Sequence, residues 1–132
     1  MANEILKGGR VLIVEDEALV AMTLEAMLED LGWITVGPVG RLDEAMRLAR
    51  TEPIDAAVLD VNLAGENTAP VAQTLVERRI PFIVATGYGE SDLDGFFRMA
   101  PSLAKPFTID GLSERMAEAL RRIRDDGPPA IP

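Results

Sequence analysis

The chain has 132 residues, a formal net charge of −9, no histidine and no cysteine. This length suits one domain with a substantial core, and the acidic excess argues against nucleic acid as a partner. The absence of histidine excludes His-based catalysis and the usual zinc sites. The absence of cysteine excludes a disulfide framework, so the default compartment is the cytoplasm. No apolar stretch reaches the ~20 residues that span a bilayer, and residues 1–7 lack a secretory pattern, so we expect no membrane insertion.

Hydrophobic periodicity predicts alternating strands and helices over residues 10–124, between a flexible lead-in at 1–9 and a disordered tail at 125–132. Strands are predicted at 10–14, 33–39, 56–60, 81–85 and 102–104. Helical spacing predicts four helices, which begin near Val20, near Leu42, at either Asn67 or Thr68, and near Thr108. A further short helix is predicted near Phe96. This alternation indicates a parallel α/β sheet with helices on both faces.

Charged and polar side chains lie at the carboxyl ends of the predicted strands. Glu15 and Asp16 follow the first strand, Asp60 ends the third, Thr86 follows the fourth and Lys105 follows the fifth. Because parallel strands end at one edge of the sheet, where open α/β sheets bind ligands, we expect these side chains to lie together. Taken singly, each has an ordinary explanation as a helix-start acid, a turn residue or a surface lysine.

Clustered carboxylates need a cation nearby. Two like charges ~4 Å apart cost on the order of 4 kcal/mol at an effective dielectric of about 20. Lys105 offsets part of this cost, and Mg²⁺, which prefers oxygen ligands, is the expected second cation. We expect direct ligation by Asp16 and Asp60, a looser contribution from Glu15 through water, and the backbone carbonyl of Asn62 to complete the set.

Asp60 keeps one carboxylate oxygen that can act as a nucleophile, and carboxylates take up phosphoryl groups as acyl phosphates. Phosphoryl transfer depends mainly on positioning and charge stabilisation. Mg²⁺, Lys105, the Thr86 hydroxyl and nearby backbone N–H groups would supply that stabilisation. No general base is required, in keeping with a chain without histidine.

Four motifs resemble those of the receiver domains of two-component response regulators: VLIVEDE at 11–17, VLD at 58–60, ATG at 85–87 and KPF at 105–107. The resemblance covers about residues 10–124 and implies a flavodoxin-like (CheY-like), doubly wound five-stranded sheet in the order 2-1-3-4-5. The site residues it implies are Asp60 as phosphoacceptor, Glu15, Asp16, Asp60 and the Asn62 carbonyl for magnesium, Thr86 as switch hydroxyl, and Lys105.

The run PFIVATGY at 81–88 is similar to that of the single-domain receivers called FATGUY, with Val84 in place of a phenylalanine. The likeness implies a sensor histidine kinase as partner, often of the HWE type, or a histidine phosphotransfer protein. Ser102 stands where many receivers carry a switch aromatic, so Tyr88 either takes over part of that role or only covers the rim of the site. The predicted surface that changes and contacts a downstream protein contains Tyr88, Phe96 and Phe97.

The function predicted from the sequence is therefore a single-domain response regulator that signals through protein contacts and is not a turnover enzyme. One alternative is a magnesium-dependent phosphohydrolase with Asp60 as nucleophile, although Asn62 stands where a second acid would be needed. Another is a scaffold that no longer accepts phosphate. Nucleotide binding is disfavoured because no phosphate-cradling glycine loop follows the first strand.

Overall fold

The computed structural model describes residues 8–87 and 95–126, and within this part a five-stranded parallel sheet forms the centre. Its strands are β1 (Arg10–Val14), β2 (Ile34–Val39), β3 (Ala56–Asp60), β4 (Phe82–Thr86) and β5 (Ser102–Ala104). They lie in the spatial order β2-β1-β3-β4-β5, and all neighbouring pairs are parallel. The predicted fold and strand order are confirmed.

Helices cover both faces of the sheet. They are α1 (Ala18–Asp30), α2 (Leu42–Thr51), α3 (Ala69–Glu77) and α4 (Ile109–Asp126), with a 3₁₀ helix at Gly95–Met99. Apolar side chains of α2, α3 and the 3₁₀ helix pack in one core, and those of α1 and α4 pack in the other. No helix in the described ranges is long and apolar enough to cross a membrane.

Strand β1 shows why the sheet is buried on both sides. Leu12 and Val14 face the core under α2 and α3, whereas Val11 and Ile13 face the core under α1 and α4. Successive side chains of a strand point to opposite faces, so a strand covered on both sides must be apolar throughout. Asp60 interrupts this rule only at the carboxyl end of β3, where the helical layers leave an open edge.

A small hairpin follows β3, and no sequence pattern predicted it. Asn62–Leu63 pairs antiparallel with Glu66–Asn67. Ala64 and Gly65 turn the chain with φ of 49° and 91°, and both central residues of a tight hairpin turn of this kind need positive φ. The side-chain oxygen of Asn62 accepts the Gly65 N–H at 2.8 Å, which holds the turn closed.

The ends of two helices bear on the predictions. Asn67 Oδ1 accepts the N–H of Ala69 at 2.8 Å, so Asn67 caps α3, and the Thr68 hydroxyl makes no cap bond. Helix α4 continues to Asp126, two residues beyond the predicted end of the domain. Of the flexible lead-in predicted over 1–9 and the disordered tail predicted over 125–132, residues 1–7 and 127–132 lie outside the described residues.

Candidate functional site

The carboxyl ends of the inner strands bring the predicted acids and Lys105 together. Strand β3 lies between β1 and β4, with Leu59 level with Val14 and Asp60 level with Ala85. Because the strands end in register, the residues that follow them share one edge of the sheet. Lys105 Nζ lies 2.9 Å from Glu15 Oε1 and 3.2 Å from Asp60 Oδ2.

Two of the three acids are buried. Glu15 is 3% exposed and Asp60 is 5% exposed, whereas Asp16 is exposed. Burial, followed by a hydrogen bond with the neighbouring Asp60, raises the pKa of Glu15 to about 7, and Lys105 opposes this rise. Burial lowers the pKa of Lys105, but hydrogen bonding and charge interactions with the two acids outweigh it and leave that pKa above its ordinary value. Lys105 is therefore positively charged and lies between two carboxylates that are close to each other.

One ammonium does not satisfy this cluster. Glu15 Oε1 is buried and lies beside Lys105 Nζ, yet it accepts no hydrogen bond of good geometry. Glu15, Asp16 and Asp60 each offer a carboxylate oxygen, and these oxygens lie within 4.8 Å of one another. Two ligands on one Mg²⁺ at ~2.1 Å are at most about 4.2 Å apart, so two direct ligands and a third through water fit this spacing. The donor set therefore suits a hard divalent cation.

Asp16 and Asn62 line an open cleft over the cluster. Asp16 Oδ2 accepts the backbone N–H of Ala64 at 3.0 Å, which draws the hairpin toward the acids. Asn62 is exposed, and its side chain is engaged with Gly65. The cleft residues are Asp16, Glu17, Val20, Asp60, Asn62, Ala64, Gly87, Lys105 and Pro106.

Thr86 is buried at the end of β4, on the neighbouring strand. Its hydroxyl donates a long hydrogen bond of 3.5 Å to the carbonyl of Leu103 on β5. In this arrangement the hydroxyl is directed toward β5. Any contact with a group on Asp60 would require the hydroxyl to turn.

The predicted switch surface is described only in part. Phe97 is buried in the core with α2 and α3, and Phe96 is half-buried against the same core. Tyr88 lies outside the described residues. A partner could therefore reach Phe97 only after a rearrangement, whereas Phe96 presents part of its ring.

Two residues near the cluster were missed by sequence reasoning as members of it. Glu17 Oε1 lies 3.7 Å from Lys105 Nζ at the rim of the cleft, and its place directly after Glu15 and Asp16 was a usable signal. Thr68 is buried and contacts the backbone of Asp60. From the sequence, the position of Thr68 directly before a helix predicts only that it caps the helix.

A parallel sheet in this order, with acids and a lysine at its carboxyl edge, defines the receiver class of bacterial two-component signalling. The chain belongs to the response regulator receiver domain family, whose model matches residues 11–117. Receiver domains bind Mg²⁺ at an acidic site and interact with histidine kinases.

Named relatives agree with this assignment. The transcriptional regulatory protein PdtaR of Mycobacterium tuberculosis is 36% identical over 120 residues, which cover 88% of this chain and 58% of PdtaR. The phyllosphere-induced regulator PhyR of Methylorubrum extorquens is 35% identical over 125 residues, covering 91% of this chain and 44% of PhyR. The chain thus spans about half the length of the curated relatives it matches.

Solved structures show the same fold. SdrG from Sphingomonas melonis Fr1 is 46% identical with a TM-score of 0.78, over 86% of this chain and 98% of that one. The receiver domain of the sensor histidine kinase PA1611 from Pseudomonas aeruginosa PAO1 is 26% identical with a TM-score of 0.73, covering 86% of this chain and 98% of that one. That structure holds a magnesium ion coordinated in its active-site cleft.

Proposed function

We propose that this chain accepts a phosphoryl group on Asp60, with magnesium bound, and signals by protein contact. The observation that carries the proposal is the Lys105 ammonium 3.2 Å from Asp60 Oδ2 and 2.9 Å from Glu15 Oε1, beside a third acid. A structure of SdrG in its BeF3-activated conformation, 46% identical to this chain, supports the same reading.

Glu15, Asp16, Asp60 and the Asn62 carbonyl would hold the cation. Mg²⁺ bound there would neutralise charge on the phosphoryl oxygens. Lys105 holds the Asp60 carboxylate in place and adds a second positive charge where negative charge gathers during transfer. Glu15 in turn fixes Lys105 from the buried side. These residues orient and stabilise, and none needs to remove a proton.

The transfer itself balances without a general base. A free carboxylate oxygen of Asp60 forms the new P–O bond, and the P–N bond to a phosphohistidine on the donor breaks. The electron pair of that bond stays on the donor imidazole, and the product is an acyl phosphate. The donor histidine lies outside these 132 residues, which contain no histidine. The donor is a sensor histidine kinase, a class that for FATGUY-type receivers often includes the HWE type, or a histidine phosphotransfer protein.

Phosphorylation adds about −1.5 to −2 charges and three acceptor oxygens at the edge of the sheet. Lys105 and the Thr86 hydroxyl are the groups that would move toward it, and turning the hydroxyl breaks its long bond to Leu103. The signal then passes to a downstream protein through the surface near Phe96. PhyR of Bartonella quintana, 27% identical to this chain, is an anti-anti-sigma factor. On this similarity, the partner class proposed for this chain is a protein that regulates sigma factors.

The test is intact-mass spectrometry after incubation with acetyl phosphate, with and without Mg²⁺. Wild type should gain one phosphoryl group only with Mg²⁺, Asp60→Asn should gain none, and Asp110→Asn, which removes an exposed acid of α4, should match wild type. Unmodified wild type in every condition would contradict the proposal. Turnover of an added phosphomonoester far beyond one equivalent would instead favour a phosphohydrolase.

A further inference from the structure

Thr68 stands out among the buried polar residues because nothing in the proposed chemistry uses it. Within the described ranges the buried polar or charged residues are Glu15, Asp60, Thr68 and Thr86. Thr68 is 0% exposed and directly precedes α3, a position where a threonine ordinarily caps the helix. Its hydroxyl makes no such cap, since Asn67 takes that role. The buried hydroxyl therefore serves something else.

The hydroxyl points back to the end of β3. Thr68 Oγ1 lies 2.5 Å from the carbonyl oxygen of Asp60 and 3.0 Å from that of Val61. A hydroxyl has one proton to donate, and the Asp60 carbonyl is the nearer acceptor. The Val61 carbonyl also accepts the backbone N–H of Thr68 at 2.9 Å. One residue thus binds two consecutive carbonyls, beginning with that of Asp60.

The backbone of Thr68 takes part in the first turn of α3. Its carbonyl accepts the N–H groups of Val71 and Ala72 at 2.9 and 3.2 Å, in the first turn of the helix. Thr68 therefore joins the rigid start of α3 to the peptide that leaves Asp60. A buried, directional hydrogen bond of this kind fixes the orientation of that peptide. The same peptide sets the backbone angle of Asp60 and the path toward Asn62.

We propose that Thr68 is a positioning residue for Asp60, holding its carboxylate where Lys105 and a bound cation meet it. This inference rests on the function proposed above. Its chemical basis is that phosphoryl transfer depends on geometry, and a small displacement of the acceptor costs rate even when the protein stays folded.

The test compares variants that separate the hydroxyl from the methyl group. Thr68→Val keeps the shape and removes the donor, and Thr68→Ser keeps the donor and removes the methyl group. Thr74→Val is the matched control, because the Thr74 hydroxyl donates at 3.0 Å to the Pro70 carbonyl within α3. The measurements are the rate of phosphorylation by acetyl phosphate, followed by intact mass, and the dissociation constant for Mg²⁺ from calorimetry.

We expect Thr68→Val to react about tenfold more slowly and to bind Mg²⁺ several-fold more weakly. Thr68→Ser and Thr74→Val should each remain within about twofold of wild type on both measurements. If valine at this position prevents folding, Thr68→Ala replaces it as the hydroxyl-free variant and is compared with Thr68→Ser.

Wild-type rate and Mg²⁺ affinity in folded Thr68→Val would overturn the positioning role and leave the proposed function intact. Equal losses in Thr68→Val and Thr74→Val would also overturn it, because they would reflect general helix stability. If wild type itself takes up no phosphoryl group, the proposed function fails, and the Mg²⁺ affinities of the same variants still decide whether Thr68 positions the acid.

Discussion

The Lys105 ammonium lies 2.9 Å from the Glu15 carboxylate, although the two residues are separated by 90 positions in the chain. The Lys105 side chain is 17% exposed and that of Glu15 is 1% exposed, so water screens the pair only weakly. Asp60 is the second acid on the same ammonium. Lys105 is therefore a structural counter-ion as well as a chemical group, and its removal should affect both folding and reactivity.

Replacing Lys105 with methionine should destabilise the metal-free protein. Breaking a buried ion pair costs roughly 3–5 kcal/mol, and the loss should lie toward the lower end because Glu15 can take up a proton. Urea unfolding at pH 8 in EDTA measures it. Arg115→Met is the matched control, since Arg115 forms a partly exposed 3.5 Å pair with Glu118 on the protein surface, and surface pairs contribute about 0–1 kcal/mol. Equal stability of Lys105→Met and wild type would contradict the role of Lys105 as counter-ion.

Glu15 should make the stability of the metal-free protein depend on pH. Its pKa is about 7 in the folded state against 4.5 ordinarily, so the folded protein binds the proton more tightly than the unfolded chain. That contribution is fully present below the ordinary pKa and is lost as pH rises through about 7. Between pH 5 and pH 8, wild type in EDTA should therefore lose a few kcal/mol relative to Glu15→Gln.

Paired urea titrations of wild type and Glu15→Gln at several pH values measure this difference. Taking the difference between the two proteins removes the contributions of the other ionisable groups they share. Parallel stability curves for the two proteins between pH 5 and pH 8 would show that Glu15 keeps an ordinary pKa in the folded state.

The neighbourhood of Glu15, Asp60 and Lys105 could be predicted from sequence because it follows from strand boundaries alone. Each boundary is marked by an apolar run that stops at a charged residue, and parallel strands bring those ends to one edge. The hairpin at Asn62–Asn67 could not be predicted, because two-residue strands carry no periodicity and Ala64 gives no signal for its positive φ. The direction of the Thr68 hydroxyl could not be predicted from the sequence either, because it depends on how α3 docks against β3.

Asp16→Asn should separate metal binding from local structure. Asp16 is exposed, and its Oδ2 accepts the Ala64 N–H at 3.0 Å, an acceptor role that the oxygen of asparagine can keep. Removing the charge reduces repulsion within the acid cluster, so the metal-free variant should be as stable as wild type or slightly more stable. The lost charge should weaken Mg²⁺ binding by at least about tenfold, because Mg²⁺ relies on one or two carboxylates for direct ligation.

In thermal unfolding, Mg²⁺ should raise the melting temperature of wild type and leave that of Asp16→Asn nearly unchanged. Asp30→Asn, at the exposed end of α1, should respond to Mg²⁺ as wild type does. An undiminished Mg²⁺ response in Asp16→Asn would mean that the cation is held without this carboxylate, and the ligand set would then have to be reassigned.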